Sequence, residues 1–252
     1  MLTMGVDIGS TASKAVILED GSRIVAKRVV PVGTGTRGPR EVYEGTLAAA
    51  GVKGSEISRV VATGYGRMNF EMADRELSEV SCHGRGVRFL LPDVRTVIDI
   101  GGQDAKALLL DERGNLDNFI MNDKCAAGTG RFLEAMARVL DVAVEEMGEL
   151  SGRSSHPVSI SSTCAVFAES EVISLIGKGT SREDIAYGVV ESVAVKVAQL
   201  ISQLGGNHYF LTGGLCEDEY VISRLSHALN APVESMPLAR YAGAIGAALL
   251  SG

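Results

Sequence analysis

Apolar positions along the chain fall into two patterns. Short apolar runs, the mark of buried strands, occur at Val6-Asp7-Ile8, Ala15-Val16-Ile17-Leu18, Val60-Val61-Ala62, Ile98-Asp99-Ile100, Ala107-Leu108-Leu109-Leu110 and Tyr209-Phe210-Leu211. Helical spacing instead governs Arg131 to Met147, with Phe132, Met136, Val139 and Leu140 on one face, and continues in Ala165 to Ile176 and Ile185 to Leu204. Ser78 to Leu91 predicts a helix stopped by Pro92, and Ala239 to Leu250 a small-residue helix after Pro237. Strands followed by helices, twice over, predict an α/β protein.

The two halves echo each other. Val6-Asp7-Ile8-Gly9 returns as Ile98-Asp99-Ile100-Gly101, and in each copy a lysine, Lys14 or Lys106, lies seven residues after the aspartate. A turn follows each copy, Asp20-Gly21 or Arg113-Gly114, so each begins as a β-meander. Later, Val60 to Gly64 matches Tyr209 to Gly213 as a short strand ending in Thr-Gly. Between these landmarks the second half is about twice as long as the first, and the excess contains Cys125 and Cys164. The boundary is placed near Pro92-Asp93. Residues 1–92 with the terminal helix, 239–252, are expected to form the first domain, and 93–238 the second.

With 252 residues, 46% of them hydrophobic and 22% charged, the chain has ordinary globular composition. Its net charge of −7, without clustered Lys and Arg, argues against nucleic acid as a partner. The longest charge-free run, Val197 to Cys216, is broken by glutamines, glycines, Asn207 and His208, so no membrane span is expected. The start of the chain lacks the basic and apolar regions of a signal peptide, and a cytoplasmic location is expected. There the four cysteines, Cys82, Cys125, Cys164 and Cys216, are core residues, ligands or reactive thiols rather than disulfides.

In Asp7-Ile8-Gly9-Ser10-Thr11 and Asp99-Ile100-Gly101-Gly102-Gln103-Asp104, a carboxylate ends a strand and glycines let backbone amides face outward. Such turns cradle phosphate oxygens, and a carboxylate nearby can hold hydrated Mg²⁺. Asp and Gly in a plain hairpin turn are the alternative for a single copy; the matched repeat favours phosphate. Thr212-Gly213-Gly214 offers bare backbone against which a nucleoside could lie. Together these loops resemble the phosphate-1, phosphate-2 and adenosine motifs of the actin, sugar-kinase and heat-shock chaperone ATPase superfamily. That resemblance implies duplicated ribonuclease-H-like domains with an ATP cleft between them. It also implies that Gly9, Ser10, Thr11, Lys14, Gly101, Gly102, Gly213 and Gly214 contact the nucleotide. No Walker A motif is present.

Cys125 lies in Asn122-Asp123-Lys124-Cys125-Ala126-Ala127-Gly128-Thr129-Gly130 and Cys164 in Ser161-Ser162-Thr163-Cys164, each ahead of a predicted helix. Amides and the positive dipole end at a helix N-terminus favour a thiolate and an anionic metal cluster. Thr129, Ser161, Ser162 and Thr163 are N-cap candidates. Two buried structural cysteines are the alternative reading. A 4Fe-4S cluster usually takes four thiolates, and a two-fold dimer supplies four from two per chain. Cys82 and His83, on a predicted helix, are read as structural.

The motif from Gly5 to Lys14, Thr63-Gly64-Tyr65-Gly66-Arg67, Asp99 to Asp104, Asn122 to Gly130 and Ser161 to Glu169 resemble, end to end, the ATP-dependent activator component of 2-hydroxyacyl-CoA dehydratases. They resemble more loosely the ATPase subunits of benzoyl-CoA reductases. The first resemblance implies a homodimer with one oxygen-sensitive 4Fe-4S cluster, held between subunits by Cys125 and Cys164, and an ATP/ADP site with Mg²⁺ in each chain. Asp7, Asp99 and Asp104 are the candidates to hold Mg²⁺ and orient the attacking water, with Gln103 assisting. The implied partners are ferredoxin or flavodoxin as electron donor and a 2-hydroxyacyl-CoA dehydratase component as acceptor. A small-molecule kinase of the same superfamily, a non-redox regulator and a benzoyl-CoA-reductase-type subunit are the competing readings.

Overall fold

A computed structural model describes residues 1–161 and 164–251. Ser162 and Thr163, two of the N-cap candidates, and Gly252, the last residue of the expected first domain, lie outside the described residues. Two compact units make up the chain: Met1–Val97 with Leu108–Phe119 and Leu238–Gly252, and Ile98–Ala107 with Ile120–Pro237.

In the first unit, β1 (Leu2–Ile8), β2 (Ser13–Glu19) and β3 (Arg23–Val30) form an antiparallel meander. Helix α1 (Gly38–Ala50) follows, then β4 (Ile57–Thr63) and the short β5 (Arg75–Glu76), which extend the sheet in parallel. The sheet order is β3-β2-β1-β4-β5. The period of two in β2 divides the core: Ala15 and Ile17 join Met4, Val6, Ile8 and Val42 on the face covered by α1, while Val16 and Leu18 face the other way.

That second face is covered by α8 (Ala242–Leu249), which packs on β1 and β2 and against α2 (Glu79–Leu90). Small residues make the contact possible. A Cβ on Gly5 would stand 1.9 Å from the Ala244 carbonyl oxygen, and one on Gly246 would stand 1.7 Å from the Cys82 carbonyl oxygen. Helix backbone therefore lies directly on strand backbone and on helix backbone, and Ile245 with the buried alanines of α8 supplies its remaining apolar contact.

The second sheet is built from β6 (Thr96–Ile100), β7 (Ala105–Leu110), β8 (Leu116–Asn122), β9 (Tyr209–Gly213) and β10 (Val233–Glu234). Its order, β8-β7-β6-β9-β10, is that of the first sheet with every strand number raised by five. The repeat read from Asp7 and Asp99 is thus a repeat of topology. Between β8 and β9 the chain inserts α3 (Gly130–Leu140), α4 (Met147–Gly152), α5 (Ala165–Gly177) and α6 (Arg182–Ile201). Helix α7 (Glu219–Leu229) connects β9 to β10.

The single helix expected over Arg131 to Met147 is divided. Helix α3 stops at Leu140 because Asp141 turns left-handed (φ 56°), with Asp141 N and Val142 N donating to Arg138 O and Ala137 O. Helices α1 and α7, absent from the apolar pattern, each bury few residues: Gly38, Val42 and Thr46 in α1, Val221 and Leu225 in α7. The core of the second unit instead rests on α6, which buries Ile185, Val189, Val193, Val197 and Ile201. Its N-terminus is pinned by Asp184, whose carboxylate accepts hydrogen bonds from Ser154 Oγ, Ser155 N, His156 N and Ser181 Oγ.

Candidate functional site

The turn between β1 and β2 is closed by Gly9 N donating to Ala12 O (3.0 Å), and Thr34 N donates to Gly9 O (2.9 Å). Within the described residues Ser10 and Thr11 make no hydrogen bond, so their amides and hydroxyls are available to an anion. Asp7, at the end of β1, is buried. Gly64 (φ +86°) and Gly243 make room for its carboxylate: a Cβ at either position would stand 2.5 or 3.0 Å from its oxygens. Lys14, opposite Asp7 in the β1–β2 register, places Nζ 3.3 Å from Asp7 Oδ2. The lysine expected to reach phosphate therefore rests on the carboxylate.

The second unit repeats the device with tighter packing. Lys106 Nζ lies 3.4 Å from Asp99 Oδ2 and 2.9 Å from Asp104 Oδ1, with the lysine side chain only 3% exposed. Asp99 also accepts a 2.8 Å hydrogen bond from Thr212 Oγ1. The turn is closed by Gly101 N donating to Asp104 O (2.9 Å), and Gln103 projects outward at its tip, exposed. Carbonyls of Gly101 and Gly102 accept from Gly130 N and Arg131 N, so the first turn of α3 holds this loop.

Gly213 ends β9 with φ +92°, and a Cβ there would stand 2.2 Å from the Ile100 carbonyl oxygen. Gly214 N donates to the same oxygen, while its outer side is open, with no atom within 4 Å of where a Cβ would sit. Bare backbone therefore lies exposed beside Asp99-Ile100. Lys106 and Thr212, not counted among the site residues from sequence, are the additions; Lys106 was signalled by its place in the repeat.

The cysteines divide into two pairs. Cys82 and Cys216 are buried, and burial pushes the Cys82 thiol up to about 11, which makes it a poor thiolate ligand. Cys125 and Cys164 are half-buried free thiols. Cys164 is itself the N-cap of α5, its side chain engaged in no capping hydrogen bond, and the preceding Ser161 N is held by Glu171 Oε2 (2.7 Å). Cys125 is placed differently from the sequence expectation. It sits in a loop ahead of Thr129, the N-cap of α3, and the first-turn amides of that helix are already engaged by Gly101 and Gly102. The Cys125 loop is shaped instead by Asn122, whose side chain donates to Cys125 O (2.9 Å) and Ala127 O (3.3 Å) and accepts from Cys125 N (3.2 Å).

The model of the BadF/BadG/BcrA/BcrD ATPase family matches residues 4–251. The chain belongs to that family. This member is 50% identical to the 2-hydroxyisocaproyl-CoA dehydratase activator of Clostridioides difficile over 250 residues, covering 99% of this chain and 94% of that one. It is also 50% identical to the (R)-2-hydroxyglutaryl-CoA dehydratase activating ATPase of Acidaminococcus fermentans, over 98% of this chain and 95% of that one. The solved Clostridium difficile activator with bound ADPNP superposes with a TM-score of 0.96 at 49% identity, covering 100% of this chain and 94% of that one. A glucokinase of the ROK family from Streptomyces griseus shares the fold at 16% identity, with a TM-score of 0.61 and coverage of 100% and 99%. This family member is therefore an ATPase with the duplicated α/β architecture of the actin-like and sugar-kinase proteins. Among its described residues no helix is long and apolar enough to cross a membrane.

Proposed function

We propose that this ATPase activates a 2-hydroxyacyl-CoA dehydratase by passing it a low-potential electron, with ATP hydrolysis driving the transfer. The observation that carries the reading is the cysteine pattern on an ATPase scaffold: two half-buried thiols, Cys125 and Cys164, neither of them in a disulfide among the described residues. Their chemistry fits thiolate ligation of a 4Fe-4S cluster, and two per chain fit a cluster shared across a homodimer. When bound, the cluster would supply a one-electron carrier between ferredoxin or flavodoxin and the dehydratase component.

The chain's own residues do the rest. Ser10 and Thr11 in one unit and Gly101 and Gly102 in the other offer phosphate contacts, and Gly213 and Gly214 offer a face for the nucleoside. Asp7, Asp99 and Asp104 are the carboxylates for hydrated Mg²⁺ and the attacking water, with Gln103 at the loop tip assisting. Lys14 and Lys106 rest on these carboxylates and would turn toward the phosphates once the carboxylates took up Mg²⁺. For hydrolysis to drive electron transfer, the ATP and ADP states must favour different conformers, since equal affinity shifts nothing.

Anaerobic purification with iron and sulfide counts tests the reading, together with Cys125→Ser and Cys164→Ser variants. About four irons per dimer, lost in both variants, are expected. Iron-free protein with ATP turnover intact would leave a small-molecule kinase or a non-redox regulator. Isolation only as part of a permanent complex would point to a benzoyl-CoA-reductase-type subunit.

A further inference from the structure

A cavity of about 260 Å³ opens beside Cys125, and its walls include Asn122, Lys196, Gln199, Leu200 and Gln203. Among the described residues, Lys196 is the only ionisable one besides the cysteine that lines it. Half-buried on α6, it has no carboxylate within 4 Å among the described residues, whereas Lys14, Lys106 and Arg224 are paired with Asp7, with Asp99 and Asp104, and with Glu191. The stem of Lys196 is fixed on the cysteine loop: a Cβ on Gly128 would stand 3.2 Å from Lys196 Cβ. Asn122 cannot serve the cavity in its place, because both ends of its amide already bind the loop backbone.

We propose that Lys196 is a positioning residue that sets the reduction potential of the group ligated by Cys125, by holding one uncompensated positive charge in the cavity beside that thiolate. The proposal rests on the cluster reading above. Reduction adds one electron, and hence one negative charge, to a thiolate-bound iron-sulfur group, with no proton required. A nearby cation therefore stabilises the reduced form and raises the potential. The half-buried position weakens this by solvent screening without cancelling it. Lys196 thus makes the centre easier to load from a donor, and ATP hydrolysis drives the electron onward.

The test is a potentiometric titration, followed by electron paramagnetic resonance, of the anaerobically purified protein after its iron has been counted. Lys196→Met is expected to keep its iron and titrate at a more negative potential than the parent, and Lys196→Arg to titrate close to the parent. Gln199→Lys, which adds a second cation to the same wall, is expected to titrate at a more positive potential. Lys196→Met with full iron and an unchanged potential would overturn the proposal. Should Lys196→Met lose iron, an unchanged potential in Gln199→Lys overturns it and a positive shift upholds it. A parent without iron overturns the cluster reading and this proposal together, and the iron count reveals that before any titration.

Discussion

Lys14 Nζ stands 3.3 Å from Asp7 Oδ2, and Lys106 Nζ, at the matching position of the second sheet, stands 3.4 Å from Asp99 Oδ2. The two pairs differ in burial, because Lys14 is 17% exposed and Lys106 is 3% exposed and also binds Asp104. Removing one partner of a buried pair leaves a charge without compensation, at about 3–5 kcal/mol. Lys106→Met is therefore expected to lower the unfolding free energy by about that amount, Lys14→Met by less, and Lys106→Met with Asp99→Asn to recover part of the loss. Urea unfolding measures all three; a Lys106→Met protein as stable as the parent would contradict the pairing.

Gly213 and Gly214 separate backbone strain from ligand contact. Gly213→Ala meets both φ +92° and the Ile100 carbonyl oxygen at 2.2 Å, so it is expected to destabilise the fold by about 1–3 kcal/mol or more. Gly214→Ala meets nothing within 4 Å and is expected to leave the melting temperature unchanged. If a nucleoside lies against that backbone, Gly214→Ala weakens ATP binding at least tenfold, as isothermal titration would show. Unchanged affinity would remove Gly214 from the site.

Asp184 makes the second unit acid-sensitive. Its carboxylate is held well below the ordinary carboxylate range, first by the Ser181 hydroxyl and then by His156 N, Ser154 and Ser155 N. A depressed folded value stabilises the protein above the unfolded carboxylate value, near about 3.9, and that contribution is lost as pH falls through the folded value. The urea midpoint of the parent should fall as pH is lowered below about 4, and Asp184→Asn should flatten part of that acid limb. An identical acid limb in the variant would show that the carboxylate does not anchor the 154–156 segment to α6.

Thiol reactivity should follow burial. With Cys82 pushed up to about 11 and shielded in the core, it stays protonated at pH 8 and resists iodoacetamide in the folded, metal-free protein, while Cys125 and Cys164 react. Mass spectrometry of peptides after brief alkylation reads all three at once. Fast labelling of Cys82 would mean that the packing of α2 against α8 opens in solution.

The apolar runs and the Asp-x-Gly echo determined much by themselves: the α/β class, the two meanders, the strands ending in Thr-Gly and the two glycine-bearing turns after Asp7 and Asp99. Local pattern suffices there because a buried strand must be apolar and a backbone that approaches an anion must be glycine-rich, whatever surrounds it. Cys125 and Cys164 were legible as a pair by the motifs around them. Their surroundings were not: nothing local shows that Asn122 folds the Cys125 loop, or that the first turn of α3 is already engaged by Gly101 and Gly102. Nor could spacing show the break after Leu140, which depends on a left-handed Asp141. Helices α1 and α7 were not read from the apolar pattern. What tertiary structure alone decided is which charges are neutralised. Lys14 faces Asp7 across the β1–β2 register and Lys106 rests on Asp99 and Asp104, while Lys196, unremarkable in sequence, comes to rest on the loop of Cys125 because α6 crosses it at Gly128.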